Sequence, residues 1–225
     1  MDTTTLVDLT HPLADGEVPT LPFDPPFSMT SFSTVPEHGW SLHEISLGSH
    51  AGTHIDAPSH CFTDGKTLDR FPLTHLIGPL VLLDLTPLRL TDRQALSWAD
   101  LATVPAAAHI PPGAILVVRT GWSQYWRTPR YYDHPFLTPD VAENILARGV
   151  RILAIDTFNP DGPPNYGCRA AGGNPIHNIL LGANVLIVEN LTNLEALTIQ
   201  NTIAIFPIPL KDCDGAPARV VAWKS

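Results

Sequence analysis

Four stretches of the chain are apolar at nearly every position over the length of a strand: 79–85, 114–118, 150–156 and 184–189. A half-exposed strand would interrupt such runs at every second residue, so they predict strands covered on both faces. Residues 198–206 and 218–223 predict two more strands towards the C-terminus. Helical signals fall between them. Thr91 and Gln94 have the form of a capping box, which predicts a helix over 92–101. Thr138 can cap a helix that begins at Pro139, carries Val141, Ile145 and Leu146 at helical spacing, and closes at Gly149. Residues 175–181 predict a short helix leading into the strand that ends at Glu189. This alternation predicts an α/β fold, although the order of the strands does not follow from it.

Composition narrows the picture. The 225 residues are 44% hydrophobic, enough for a full core, and no linker, charge block or repeat divides them. One domain spanning 1–225 is therefore expected. The formal charge is −9 and Lys and Arg form no patch. That argues against phosphate-driven binding to nucleic acid and against attraction to an anionic membrane surface. No apolar run approaches the roughly 18 residues of a membrane span. Residues 1–5 lack the basic and apolar regions of a signal peptide, and Cys61, Cys168 and Cys213 are few and scattered. A cytoplasmic protein with reduced thiols is expected.

The chemistry concentrates in Ser49-His50-Ala51-Gly52-Thr53-His54-Ile55-Asp56-Ala57-Pro58-Ser59-His60. In a helix His50 and His54 would share a face, but Gly52, Thr53, Ile55 and Pro58 all disfavour one. In an extended chain His50, Gly52, His54 and Asp56 point the same way, and Gly52 leaves an opening between the imidazoles. Three ligand-type side chains then converge, the number a catalytic zinc site uses while keeping a position for water. An isolated histidine is commonly a surface or satisfied core residue, and His11, His38, His43, His75, His109 and His134 are read that way. The clustering within 50–60 is what favours a metal over a solvated His-rich loop. Far downstream, Glu189 ends an apolar strand, where a carboxylate is costly unless the strand surfaces or a cation is bound. Beside a metal motif it becomes a candidate ligand. Phe23, Phe27, Trp40 and Trp122 are candidate pocket aromatics, with Trp122 favoured because it follows a strand end at Gly121. Cys61 adjoins the motif and reads as a packing residue.

Residues 50–60 resemble the His-x-Gly-Thr-His-x-Asp-x-Pro-x-His signature of the cyclase-like metal-dependent hydrolases, which include bacterial kynurenine formamidases and isatin hydrolases. The likeness extends to Val7-Asp8-Leu9-Thr10, Arg119-Thr120-Gly121-Trp122, 149–157 and 177–191. It implies a swivelling β/β/α fold, with a mixed, partly barrel-like sheet flanked by helices. It also implies metal ligands at His50, His54 and Asp56, a second ion completed by His177 and Glu189 in binuclear members, and a proton carrier at His60. One or two ions of zinc or manganese, a small-molecule substrate and a homo-oligomer, dimer or tetramer, follow from the same likeness. The chain departs from formamidases at Leu21, where they typically carry a substrate-stacking tryptophan, and in the Gly/Pro-rich loop 159–174. Both departures bear on the pocket, so a substrate other than N-formylkynurenine is expected, seated by Leu21, Phe23 and Trp122.

The expected reaction is hydrolysis of an amide or ester-type bond in a small aryl amide, cyclic amide or lactone, using metal-activated water. Two rivals share the site: a metal-assisted cyclase or dehydratase acting on a polyketide-like intermediate, and a non-catalytic scaffold stabilised by metal. An intact His60 speaks against the scaffold, which needs no proton carrier.

Overall fold

The computed structural model describes residues 6–162, 173–197 and 201–224. Its strands are β1 (Val7–Asp8), β2 (Ser28–Ser33), β3 (Leu42–Ser46), β4 (His54–Asp56), β5 (Ile77–Asp84), β6 (Ala95–Leu96), β7 (Ile115–Arg119), β8 (Phe136–Leu137), β9 (Ile152–Ile155), β10 (Leu186–Glu189), β11 (Asn201–Pro207) and β12 (Gly215–Lys224). The helices are α1 (Val35–His38), α2 (Trp98–Leu101), α3 (Pro139–Ala147) and α4 (Pro175–Gly182), joined by short 3-10 turns.

Seven strands close into a barrel-like ring in the order β12-β11-β5-β7-β9-β10-β4, with β4 pairing back onto β12. The steps β5–β7, β7–β9 and β9–β10 are parallel, and the rest are antiparallel. On the edge of β12 away from β11, Gly215–Pro217 pairs with β4 and Val221–Ala222 pairs with β1. This is the mixed, partly barrel-like sheet with flanking helices that the family resemblance implies.

The uninterrupted apolar runs have a simple cause: successive side chains enter two different cores. Ile115 and Val117 of β7, and Ile152 and Ala154 of β9, fill the inside of the ring. Their neighbours Leu116, Val118, Leu153 and Ile155 face an outer core shared with Val141, Ala142 and Ile145 of α3 and with Ile176, Leu180 and Leu181 of α4. α3 starts behind Thr138 with Pro139 in its first turn, and Gly149 follows it at φ +66°.

One predicted element differs. Gln94 does accept from the Thr91 backbone N–H at 2.9 Å, but this contact closes a turn and no helix begins there. Arg93 takes φ +55°, Ala95–Leu96 pairs as β6 with β8, and the helix opens only at Ser97, whose own capping box uses Asp100. The strand 198–206 is seen from Asn201, and residues 198–200 lie outside the described residues. Cys61 is disulfide-bonded, which corrects the reduced thiol expected there. Cys213 is free, and Cys168 is outside the described residues. Among the described residues no helix is long and apolar enough to cross a membrane.

Candidate metal centre

Sheet register builds the site. In β4 the middle residue, Ile55, points into the ring, so His54 and Asp56 point outward. The antiparallel neighbour β10 sets Glu189 opposite His54 and Ile187 opposite Asp56. Ile187 belongs to the outer core, and Glu189, two residues on, shares its face. α4 also packs in that outer core and carries His177 to the same place. His54 Nε2 lies 3.3 Å from Asp56 Oδ1 and 3.4 Å from Glu189 Oε2. His177 Nε2 lies 3.5 Å from Asp56 Oδ2 and 3.3 Å from Glu189 Oε1.

His50 arrives by a different route from the one its spacing suggests. Only His54–Asp56 is strand, and Gly52 turns the chain at φ +65°, so strand alternation does not place His50. The turn folds His50 back until its Nδ1 is 2.6 Å from Asp56 Oδ1. Convergence of His50, His54 and Asp56 therefore stands, while the extended stretch proposed to cause it does not. Gly52 also leaves no gap between imidazoles; a Cβ there would overlap Leu13 Cδ2.

The far nitrogens of the three imidazoles are all occupied. His54 Nδ1 donates to the Gly52 carbonyl at 2.8 Å, His177 Nδ1 donates to Asp161 Oδ2 at 2.7 Å, and His50 Nε2 donates to Asp214 Oδ2 at 2.8 Å. A carbonyl or carboxylate only accepts, so these bonds assign the hydrogen to that nitrogen and turn the other one inward. Asp161 additionally accepts the backbone N–H groups of Ile176 and His177, which anchors the first turn of α4. The Gly52 carbonyl is held a second time by Asn190 Nδ2, whose own Oδ1 accepts from Tyr131.

This donor set fits a divalent cation. His50, His54 and Asp56 can bring one ligand atom each within 4.8 Å of one another, as can Asp56, His177 and Glu189. Asp56 Oδ2 and Glu189 Oε1 are buried and accept no hydrogen bond, a costly state that a cation between them would relieve. Mixed imidazole and carboxylate ligands suit zinc or manganese. In the metal-free chain the buried carboxylates favour the protonated imidazoles. Burial opposes charge on His50, yet the Asp56 charge and the bonds to Asp214 and Asp56 raise its pKa to about 10. His54 and His177 are likewise raised against burial by their carboxylates, and Asp56 is held well below the usual carboxylate range by His54 and His50.

The cluster lies in a cavity of about 300 Å³. His50, His54, Asp56, His60, His177 and Glu189 all line it. Its apolar wall includes Leu21, Phe23 and Phe158, with Asn159 and Asn174 from the ends of the 159–174 loop; residues 163–172 of that loop are outside the described residues. Phe23 is 72% exposed at this wall. Trp122 is a correction: it is 2% exposed, packs against Tyr125, and donates its Nε1–H to the Arg130 carbonyl, away from the cavity. A strand end puts its own residues near a site, but Gly121 at φ +80° turns the next side chain into a separate aromatic core. Phe27 is buried and Trp40 exposed, and neither lines the cavity. Asp214 and Asp161 escaped the sequence reading. Asp214 precedes a Gly at a strand start, an ordinary turn signal, and Asp161 sits in a Pro/Gly-rich loop where aspartate is common.

Three comparisons bear on this site. The model of the Cyclase family matches residues 7–162. The kynurenine formamidase of Bacillus anthracis is 26% identical over 223 residues, covering 98% of each chain, and that of Geobacillus thermodenitrificans is 27% identical over 219 residues, covering 97% of each. Isatin hydrolase A from Ralstonia solanacearum superposes with a TM-score of 0.85 at 27% identity, covering 98% of this chain and 92% of the other. Isatin hydrolase A from Labrenzia aggregata, bound to benzyl benzoate, gives 0.85 at 29%, covering 96% and 92%.

Proposed function

We propose that this chain, which belongs to the Cyclase family, is a metal-dependent hydrolase of the C–N or C–O bond in a small aryl amide, cyclic amide or lactone. One observation carries the reading: the imidazole–carboxylate cluster shares its cavity with an apolar wall that includes Leu21, Phe23 and Phe158. That wall suits an aryl ring, in keeping with relatives that are kynurenine formamidases and structural neighbours that are isatin hydrolases.

In this reading His50, His54 and Asp56 hold one zinc or manganese ion, and Asp56, His177 and Glu189 hold a second where two bind. A dication there supplies Lewis acidity, polarising the scissile carbonyl and making a water molecule more acidic. Leu21 and Phe23 seat the aryl ring. His60, which also lines the cavity, takes the proton from water and returns it to the departing nitrogen or oxygen. The protein assembles as a homo-oligomer, a dimer or tetramer. The β2–β3 ribbon supports this, since it leaves Met29, Phe32, Leu42 and Ile45 exposed and an isolated two-stranded ribbon is marginal in water. Light scattering on the eluted protein reads the state.

The test is turnover of N-formyl anilines, isatin and aryl lactones in oxygen-18 water by protein loaded with zinc or manganese. Hydrolysis places the label in product, stops on chelation and returns on metal add-back. His60→Ala keeps its metal and loses roughly 10²–10⁴ in rate. No turnover on any substrate with metal fully loaded would sink the proposal in favour of a scaffold. Turnover without label would make the enzyme a cyclase or dehydratase.

A further inference from the structure

Asp214 forms a third, more exposed group of ligand-type atoms with His50 and His60, and so touches both halves of the machinery. Its Oδ2 lies 2.8 Å from His50 Nε2 and 3.2 Å from His60 Nδ1, and the two rings stand 4.1 Å apart between their centroids. We infer that Asp214 is a positioning residue that fixes the tautomer and orientation of the proton carrier His60 while bracing the ligand His50. This rests on the proposed role of His60.

The chain is built around that carboxylate. A side chain at Gly215 would sit 2.8 Å from the Ile55 carbonyl oxygen and 2.9 Å from His50 Cε1, so only glycine lets the His50 ring lie against this backbone. The Asp214 carbonyl accepts from Ala57 N–H at 2.8 Å, and the preceding Cys213 carbonyl accepts from Leu68 N–H at 3.0 Å. The main chain is thus pinned on both sides of the residue. A carboxylate has no hydrogen to give, so His60 Nδ1 must carry one, and His60 Nε2 is left with the lone pair. A base whose lone pair is fixed on one nitrogen can receive a proton there without first rotating or exchanging tautomers. The same logic makes an aspartate behind a catalytic histidine effective without itself being protonated. A neutral carboxamide is not equivalent at such a position, because it can present its NH₂ instead and reverse the donor pattern.

The experiment compares Asp214→Asn, His60→Ala and the double variant at saturating zinc, with zinc content measured for each. Asp214→Asn keeps the full zinc complement and lowers kcat by roughly 100-fold with KM nearly unchanged, within the range of a positioned acid–base group. In the His60→Ala background the same change costs little more, because the residue acts through His60. Nitrogen-15 NMR of the zinc-loaded wild type shows His60 protonated at Nδ1, a readout that needs no turnover. A wild type with this tautomer but no activity would refute the hydrolase reading and leave the positioning intact. An Nε2–H tautomer, equal kcat losses in both backgrounds, an unchanged kcat, or loss of an ion from Asp214→Asn at saturating zinc would each overturn the inference.

Discussion

Replacing Gly52 by alanine tests how the metal motif is held in shape. Gly52 sits at φ +65°, where an L-residue pays about 1–2 kcal/mol. Its new methyl would also overlap Leu13 Cδ2, but that is the far end of a half-buried side chain, which can shift at little cost. The backbone cost alone predicts about 1–2 kcal/mol of destabilisation, or a Tm lower by roughly 2–8 °C for a chain of this size. The measurement is calorimetry on chelated protein, so that metal binding does not mask the backbone effect. A second readout follows from the Gly52 carbonyl, which accepts from both His54 Nδ1 and Asn190 Nδ2. Moving it should weaken zinc binding by about 10- to 100-fold. A variant with wild-type Tm and wild-type zinc affinity would refute the idea that this turn places His50 and His54.

Three further outcomes are expected. The pKa of His50 is raised to about 10 in the metal-free chain, so zinc must displace its proton, and His54 and His177 are shifted in the same direction. Apparent affinity should then weaken as pH falls, by about tenfold per pH unit between pH 8 and 6 for the His50 proton, and a flat profile in competitive chelator titrations would contradict the ligand set. His134 is pushed down to about 4 by burial, so its neutral form stabilises the fold above pH 6.5 and that contribution is lost as pH falls towards 4, about 3 kcal/mol in all; denaturant unfolding of His134→Gln should show a shallower acid limb, and an unchanged limb would remove His134 from the account. Trp122→Ala should lower Tm sharply, by the roughly 3–5 kcal/mol of a buried aromatic, with KM unchanged, whereas Phe23→Ala should raise KM at constant Tm; the opposite pairing would exchange their assignments.

Much of the fold is legible along the chain because strand and helix signals are local. The apolar runs name β5, β7, β9 and β10 to within two or three residues, and Thr138, Pro139 and Gly149 bracket α3. The failure at 92–101 is instructive. The Thr91–Gln94 contact forms as its residue types suggest, but pairing of Ala95–Leu96 with Phe136–Leu137 takes the next residues into a strand. Partners 41 positions away outweighed a local preference worth about 1 kcal/mol.

The candidate site divides the same way. Residue types and their density supply His50, His54 and Asp56 as candidates, because a run of imidazole and carboxylate is visible in one short window of the chain, and the family likeness adds the role of His60. Which of them meet, and what stands behind them, is decided by register and turn geometry. Glu189 faces His54 through the β4–β10 ladder, and Asp161 caps α4 and orients His177. Trp122 turns away into its own core, and Asp214 reaches His50 from 164 positions along the chain. A side chain's chemistry is fixed where it is encoded, but its neighbours are fixed only when the ring of strands closes, and hydrogen bonds of about 3 Å leave no tolerance for guessing that closure from spacing.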